Sequence, residues 1–227
     1  INIITRNAKD TQGLYASAGM GNFLRRNAAL RYGGKLGSGF AYRIYGRGFS
    51  RDHTVLPNGN ENSDAWSMLQ SGFSADWDPS ETDAVVVHGN LYKGTHENVP
   101  EESDVDGQNI LARWSHQFSG ESNLVLQAYY DRTWRRDIPS TISDETETYD
   151  VDFDHRFLVG DRHEIVWGGG YRFIKSKTQH STEIVGLLPP RRDMDLFSGF
   201  IQDEISLVDE HLKLTLGVKL QHNVFSD

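Results

Sequence analysis

The sequence predicts an all-β protein, an antiparallel meander of about eleven strands, and two observations carry that prediction. The first is a period-two alternation of apolar and polar residues along nearly the whole chain, with helical periodicity almost nowhere. The second is the connections: after the first hairpin, short turns and longer polar stretches alternate without exception. Alternating connection lengths are the habit of membrane barrels, which keep short turns at one rim and long loops at the other. At about ten residues each, the strands have the length that a tilted strand needs to cross a bilayer.

The elements follow in order. A β-branched run (Ile1, Ile3, Ile4, Thr5) is followed by a polar break from Arg6 to Gln12, and Gly13 opens the first alternating segment. There Leu14, Ala16, Ala18 and Met20 oppose Tyr15, Ser17 and Gly19. Ala28, Leu30 and Tyr32 then oppose Asn27 and Arg31, and Phe40, Tyr42 and Ile44 oppose Arg43 and Arg47. Leu69, Phe73, Ala75 and Trp77 oppose Met68, Gln70, Ser74 and Asp76. Val85, Val87 and Leu91 come next, and then Ile110, Ala112, Trp114 and Phe118. Leu124, Leu126, Ala128 and Tyr130 are followed by Tyr149, Val151, Phe153 and Phe157, and by Ile165, Trp167, Tyr171 and Phe173. The set closes with Leu212, Leu214, Leu216, Val218 and Leu220. One segment, near 196–205, is less regular, because Phe197 and Ile201 share parity with Asp195 and Asp203. Short turns are expected at 34–38, 78–83, 119–121, 158–162 and 206–211, and long loops at 52–63, 96–106, 136–145 and 178–192. Gly34, Gly37 and Gly39 are read as supplying positive φ, Asp78-Pro79-Ser80 as a type I turn, and Val159-Gly160-Asp161 as a tight hairpin.

Composition narrows the class. Hydrophobic residues are only 37% of the chain, the mean hydropathy is −0.56, and there is no apolar run long enough for a membrane helix. A barrel strand is apolar at every second residue, so its signal averages away in such a measure. The net charge of −9 argues against nucleic acid as a partner. Cysteine is absent, which excludes disulfide frameworks and thiolate metal sites. The nine histidines show no close ligand spacing, so no metal and no cofactor is assigned. Asp150-x-Asp152-x-Asp154 opens like a calcium loop, but His155 stands where such a loop needs glycine. It reads better as an acidic ladder on one strand face, paired with arginines such as Arg172. Gly168-Gly169-Gly170 is expected to weaken pairing and leave room for a close neighbour. No nucleophile triad, phosphate loop or dinucleotide fingerprint is present, and the chain is not read as an enzyme.

Three groups of cations are candidates for ligand contact. Arg47 and Arg51, with Arg43, line one face of a strand that leads into a long loop. Trp134, Arg135 and Arg136, with Arg132, crowd the mouth of another, and Arg191 and Arg192 end a third loop. Guanidinium forks beside aromatics suit an anionic ligand. Pairing to anionic lipid or to acidic loops is the alternative for the same residues.

The wording of three stretches carries a resemblance. INIITRNAKDTQG at the start resembles the junction where the plug of a TonB-dependent outer-membrane receptor ends and its barrel begins. FSGFIQDEISLVDEHLKLTLGVKLQHN near the far end is similar to mid-barrel hairpins of the same receptors. AYYDRTWRRD through DFDHRFLVGDRHEIVWGGGYRF fits between them in order. The resemblance implies that residues 1–11 end a plug domain and that 12–227 form the first half of a barrel of about 22 strands. It further implies a Gram-negative outer-membrane location and uptake of a scarce nutrient, above all a ferric siderophore. The TonB–ExbB–ExbD complex would energise uptake through a plug and TonB box upstream. A passive porin-like channel or a surface adhesin is the competing reading. The polar parity (Arg43, Arg47, Asp152, Asp154, Arg172) is expected on the concave face, with Trp114, Leu126, Tyr171 and Leu216 on the convex, lipid-facing one.

Overall fold

The computed structural model describes residues 6–97, 102–137, 142–180, 189–208 and 211–223. The opening run Ile1–Thr5 lies outside them, as do the tips of three of the expected loops. A single 3-10 turn, Ala8–Asp10, precedes eleven strands among the described residues: β1 (Gly13–Gly19), β2 (Arg26–Leu36), β3 (Phe40–Arg51), β4 (Trp66–Trp77), β5 (Asp83–His96), β6 (Ser103–Ser119), β7 (Ser122–Asp137), β8 (Ile142–Val159), β9 (His163–His180), β10 (Arg191–Val208) and β11 (Leu212–Asn223). They form one antiparallel sheet in which each strand pairs with its neighbours in sequence, from β1 at one edge to β11 at the other. This is the expected meander.

Apart from β1, which has seven residues and ends before Met20, the strands are longer than the expected ten. β8, β9 and β10 each run to 18, because pairing continues through segments read above as loops. Ser143-Asp144-Glu145 pairs with Lys177-Thr178-Gln179 in unbroken register. Both faces are polar there, so the alternation that marks a half-buried strand is lost while the backbone ladder persists. The connection between β7 and β8 therefore shrinks to 138–141, and that between β9 and β10 to 181–190. The loop at 52–65 remains long. Among the glycines of the first short turn only Gly37 has positive φ, at 68°. Gly34 instead lies under the Tyr42 ring, and a Cβ there would collide with it.

Ladder register assigns every side chain to a face. Ala8 of the 3-10 turn donates its N–H to Asp76 at 2.7 Å, Arg43 donates to the Arg6 carbonyl at 3.0 Å, and Lys9 pairs with Asp78. The face that receives this turn is called inner. It carries Arg43, Gln70, Asn90, Asn109, Asp150, Asp152 and Arg172. The outer face carries Leu69, Trp114, Leu126, Val151, Tyr171 and Leu216.

The sheet has almost no core of its own. Ala8 and Ala41 are the buried hydrophobics among the described residues, while Leu14, Leu69 and Leu220 are each about 70% exposed. A water-soluble protein rarely leaves a large continuous apolar patch uncovered; a lipid-facing wall requires one. Trp77, Phe118, Phe157 and Trp167 mark the outer face at the short-turn end, and Tyr130, Tyr149 and Phe173 mark it toward the loops, with ring contacts of 5.0 and 6.4 Å along the second row. Two aromatic rows bracketing an apolar band match the pattern of girdles in membrane barrels. Asp195 and Asp203, which upset the alternation in β10, sit toward opposite ends of this band. Each takes a proton donor, the Tyr171 hydroxyl at 2.5 Å and the His163 ring at 2.8 Å.

Candidate ligand-binding site

The inner face is a hydrogen-bonded polar surface. Gln70 donates to the Tyr45 hydroxyl at 3.1 Å, that hydroxyl donates to Asn90 at 2.6 Å, and Asn90 donates to Asn109 at 2.9 Å, crossing β4, β3, β5 and β6. Further along, Arg172 donates to Asp150 at 2.7 Å, as the acidic ladder on β8 led one to expect. Gly168 makes room for the Phe200 ring from the next strand. Pairing through Gly168–Gly170 is continuous on both sides, so the glycines admit an aromatic without breaking the sheet.

At the loop end of this face Phe49 and Trp66 meet edge to face at 4.7 Å. The Arg51 guanidinium lies 4.8 Å from the Trp66 ring, 5.7 Å from Phe49 and 5.9 Å from Phe23. Arg47 lies 5.4 Å from Phe49. Both arginines are exposed, and neither forms an ion pair with a described residue, whereas the neighbouring Arg25 is tied to Asp52 at 2.5 Å. Cation–π contact holds a guanidinium in place and leaves its N–H edge available to an anion. A hollow of about 230 Å³ adjoins this cluster, lined in part by Arg51, His53, Trp66 and Glu97.

The rim above it is prefolded. In the 52–65 loop Thr54 donates its N–H to Asp64 at 2.7 Å and its hydroxyl to the same carboxylate. Asn62 donates to Asp64 at 3.0 Å, and Val55 bridges Glu61. The Thr54 hydroxyl, and then its N–H, hold the Asp64 pKa below the ordinary carboxylate value. No group of three potential ligands among the described residues is placed to hold a metal.

The seven expected contact residues separate by parity. Arg47, Arg51, Arg135 and Arg192 lie on the inner face; Trp134, Arg136 and Arg191 lie on the outer one. Adjacent strand residues point to opposite sides, so Arg135 and Arg136 cannot serve one ligand. Arg136 instead pairs with Asp104 at 2.5 Å. Sequence reading passed over Phe49, Trp66 and Phe23. The signal was present in Arg47-Gly-Phe49-Ser-Arg51, where arginine and aromatic share one parity. Two hollows of about 880 and 540 Å³ belong to the outer face, over Gly48 and beside Gly89. They are mainly apolar recesses on the opposite side of the sheet from the arginine cluster, the first of them backing onto Phe49.

No family model matches the chain, and no curated protein matches it in sequence. Solved structures do. The ferric-catecholate import receptor Fiu of Escherichia coli superposes with a TM-score of 0.72 at 11% identity, over 93% of this chain and 41% of its own. The siderophore receptor PirA of Pseudomonas aeruginosa gives 0.66 at 15% identity, over 88% of this chain and 34% of its own. The copper transporter OprC gives 0.67 at 13% identity, over 92% and 36%. The chain thus spans well under half the length of the structures it matches, and its fold is that of a part of the barrel wall in this group of outer-membrane receptors.

Proposed function

We propose that the chain is the first half of the barrel wall of a TonB-dependent receptor in a Gram-negative outer membrane, and that the whole receptor takes up an anionic metal chelate, most simply a ferric siderophore. Residues 1–11 close the plug and 12–227 build the wall. Coupling to TonB–ExbB–ExbD runs through an upstream plug and TonB box. The inner face becomes the lumen, the outer face meets lipid, and the 52–65 end faces outside. The fold likeness to transport receptors, two of which are named for siderophore or catecholate import, supports transport rather than catalysis. Open edges at β1 and β11 support the need for further strands, since unpaired backbone groups in hydrocarbon cost several kcal/mol each.

The observation that carries the ligand class is the Arg47–Arg51 cluster on Phe49 and Trp66. Each guanidinium offers a charge-assisted contact to a chelate oxygen, contributing about 1.5–3 kcal/mol, and the aromatic surface suits a catecholate ring. The test is equilibrium binding of a ferric tris-catecholate, and of a copper complex beside it, to the full-length receptor. Arg47→Ala with Arg51→Ala is expected to weaken the ferric ligand roughly tenfold to a hundredfold, with Lys213→Gln near a short turn unchanged. Equal affinity of double variant and wild type removes this cluster from the binding site.

A further inference from the structure

The inner face of β3 repeats one pattern from the loop end toward the short turns. Its side chains are Arg43, Tyr45, Arg47, Phe49 and Arg51, arginine and aromatic in turn, all of one parity and so on one side of the strand. At about 3.3 Å per residue, successive arginines stand about 13 Å apart along the strand. Arg31 of β2 halves the lower gap, because it lies opposite Tyr45 in the ladder. Its guanidinium is 5.2 Å from the Tyr15 ring, and its Nε is buried without a hydrogen-bond partner. None of these four arginines forms an ion pair with a described residue. Asp76, one row below Arg43, is the one carboxylate on the inner face of β1 to β6 among the described residues. It already accepts the Ala8 N–H at 2.7 Å.

The other side of the same face has the opposite sign. β7 and β8 turn Asp131, Asp150, Asp152 and Asp154 inward, and only Asp150 has an ion-pair partner among the described residues, Arg172. The ladder row that holds Arg31 and Tyr45 runs on through Gly72, Asn90 and Asn109 to Asp131. One face is therefore basic along β2 and β3 and acidic along β7 and β8. A concave wall lined by one sign of charge focuses its field into the space before it. An anion in that space is drawn to β3 and held off β8. Spaced cations also pass an anion on, since several weaker sites bind it without trapping it at any one.

We propose that β2 and β3 form the track along which an anionic chelate descends after leaving the rim, handed from Arg51 and Arg47 to Arg31 and then Arg43. The inference rests on the reading of this face as the lumen of an uptake receptor. It gives Arg31 and Arg43 a part in passage that is separate from capture at the rim.

The test uses whole cells that carry the full-length receptor, with a radiolabelled ferric tris-catecholate as probe. Binding is scored in de-energised cells and uptake in energised ones, each per receptor copy at the surface. Arg31→Gln is expected to hold the dissociation constant within about twofold and to slow uptake about tenfold. Arg31→Lys keeps the charge and most of the rate. Ser17→Asp sets a carboxylate one row from Arg31 without removing it. It slows uptake likewise, and carries the test if Arg31→Gln assembles poorly. Lys219→Gln removes a cation from the inner face beyond the acidic strands and leaves uptake unchanged. Unchanged uptake in Arg31→Gln and Ser17→Asp overturns the track. So does equal slowing in Lys219→Gln, which makes the effect one of overall charge, and so does Arg31→Lys as slow as Arg31→Gln, which makes it one of packing. A loss of affinity as large as the loss of uptake puts Arg31 in the rim site and overturns the separation. Wild-type cells that bind no ferric tris-catecholate overturn the underlying reading instead, and this is scored before any variant.

Discussion

Two clusters at the loop end of the sheet are built from the same parts. On the inner face Arg47 and Arg51 lie over Phe49 and Trp66; on the outer face Lys175 lies beside Tyr149 and Phe173. Chemically they are alike, cations beside aromatic rings, although Lys175 also faces Asp193 across the ladder. What separates them is parity alone. A one-residue change of register exchanges their faces, and with the face goes the environment. Residue type alone therefore does not assign a role in a barrel wall.

The strongest way to break this comparison is to test whether the faces differ at all. Leu126 is outer and Gln127 inner, next to each other within the apolar band of β7. In a receptor folded into vesicles, Leu126→Arg is expected to cost roughly 2–4 kcal/mol, and Gln127→Arg much less. Denaturant titration monitored by tryptophan fluorescence measures both, and equal costs end the facing assignment.

The next largest effect separates the clusters by ligand. Arg47→Ala with Arg51→Ala should weaken chelate binding about tenfold or more, and Lys175→Gln on the outer face should leave it unchanged. Weakened chelate binding in Lys175→Gln shows that the clusters are not independent.

A finer version uses neighbours. Arg135→Ala is expected to reduce chelate affinity measurably. Arg136→Ala should leave it intact and cost at most about 1 kcal/mol of stability, the usual range for an exposed ion pair such as Arg136–Asp104. Isothermal titration of the two single variants decides between a shared and a split role.

The smallest effect concerns the rim of the inner site. The folded pKa of Asp64 is depressed, chiefly by the Thr54 hydroxyl. Such a group contributes order that is full above its unfolded value near about 4 and is lost as pH falls through the lower folded value. The protection of the Thr54 amide relative to its intrinsic exchange rate should therefore fall only in acid, below about pH 4, and Asp64→Asn should flatten that dependence. Protection that persists unchanged through this range detaches the loop's order from Asp64.

Most of the fold was legible because period two and turn chemistry are local. Val159-Gly160-Asp161 does form a tight turn, with Gly160 at φ 61°. The outer-face aromatics likewise followed from alternation. Strand ends beyond the apolar band were not legible. There, as in Thr146-Glu147 against Lys175-Ser176, both faces are polar, and only the ladder itself defines the strand. The site was half legible for the same reason. Arginine near a loop was visible, but its face required a register, and Trp134-Arg135-Arg136 was read as one set when the backbone divides it. Phe23, from another strand connection altogether, joins Arg51 only through folding.

The 3-10 turn at Ala8–Asp10 has a mechanical consequence. Tension along residues 1–5, if applied directly to β1, would peel an edge strand from β2 one hydrogen bond at a time. Instead the pull first reaches the Ala8–Asp76 bond, the Arg43 contact to the Arg6 carbonyl and the Lys9–Asp78 pair. These attachments are loaded together and are rooted in β3, β4 and the turn that follows β4, inside the sheet. Gly33 lets the Thr11 carbonyl settle against β2 just behind them. The anchorage acts as a strain relief, so that a segment can be hauled at its near end while the edge strand stays seated.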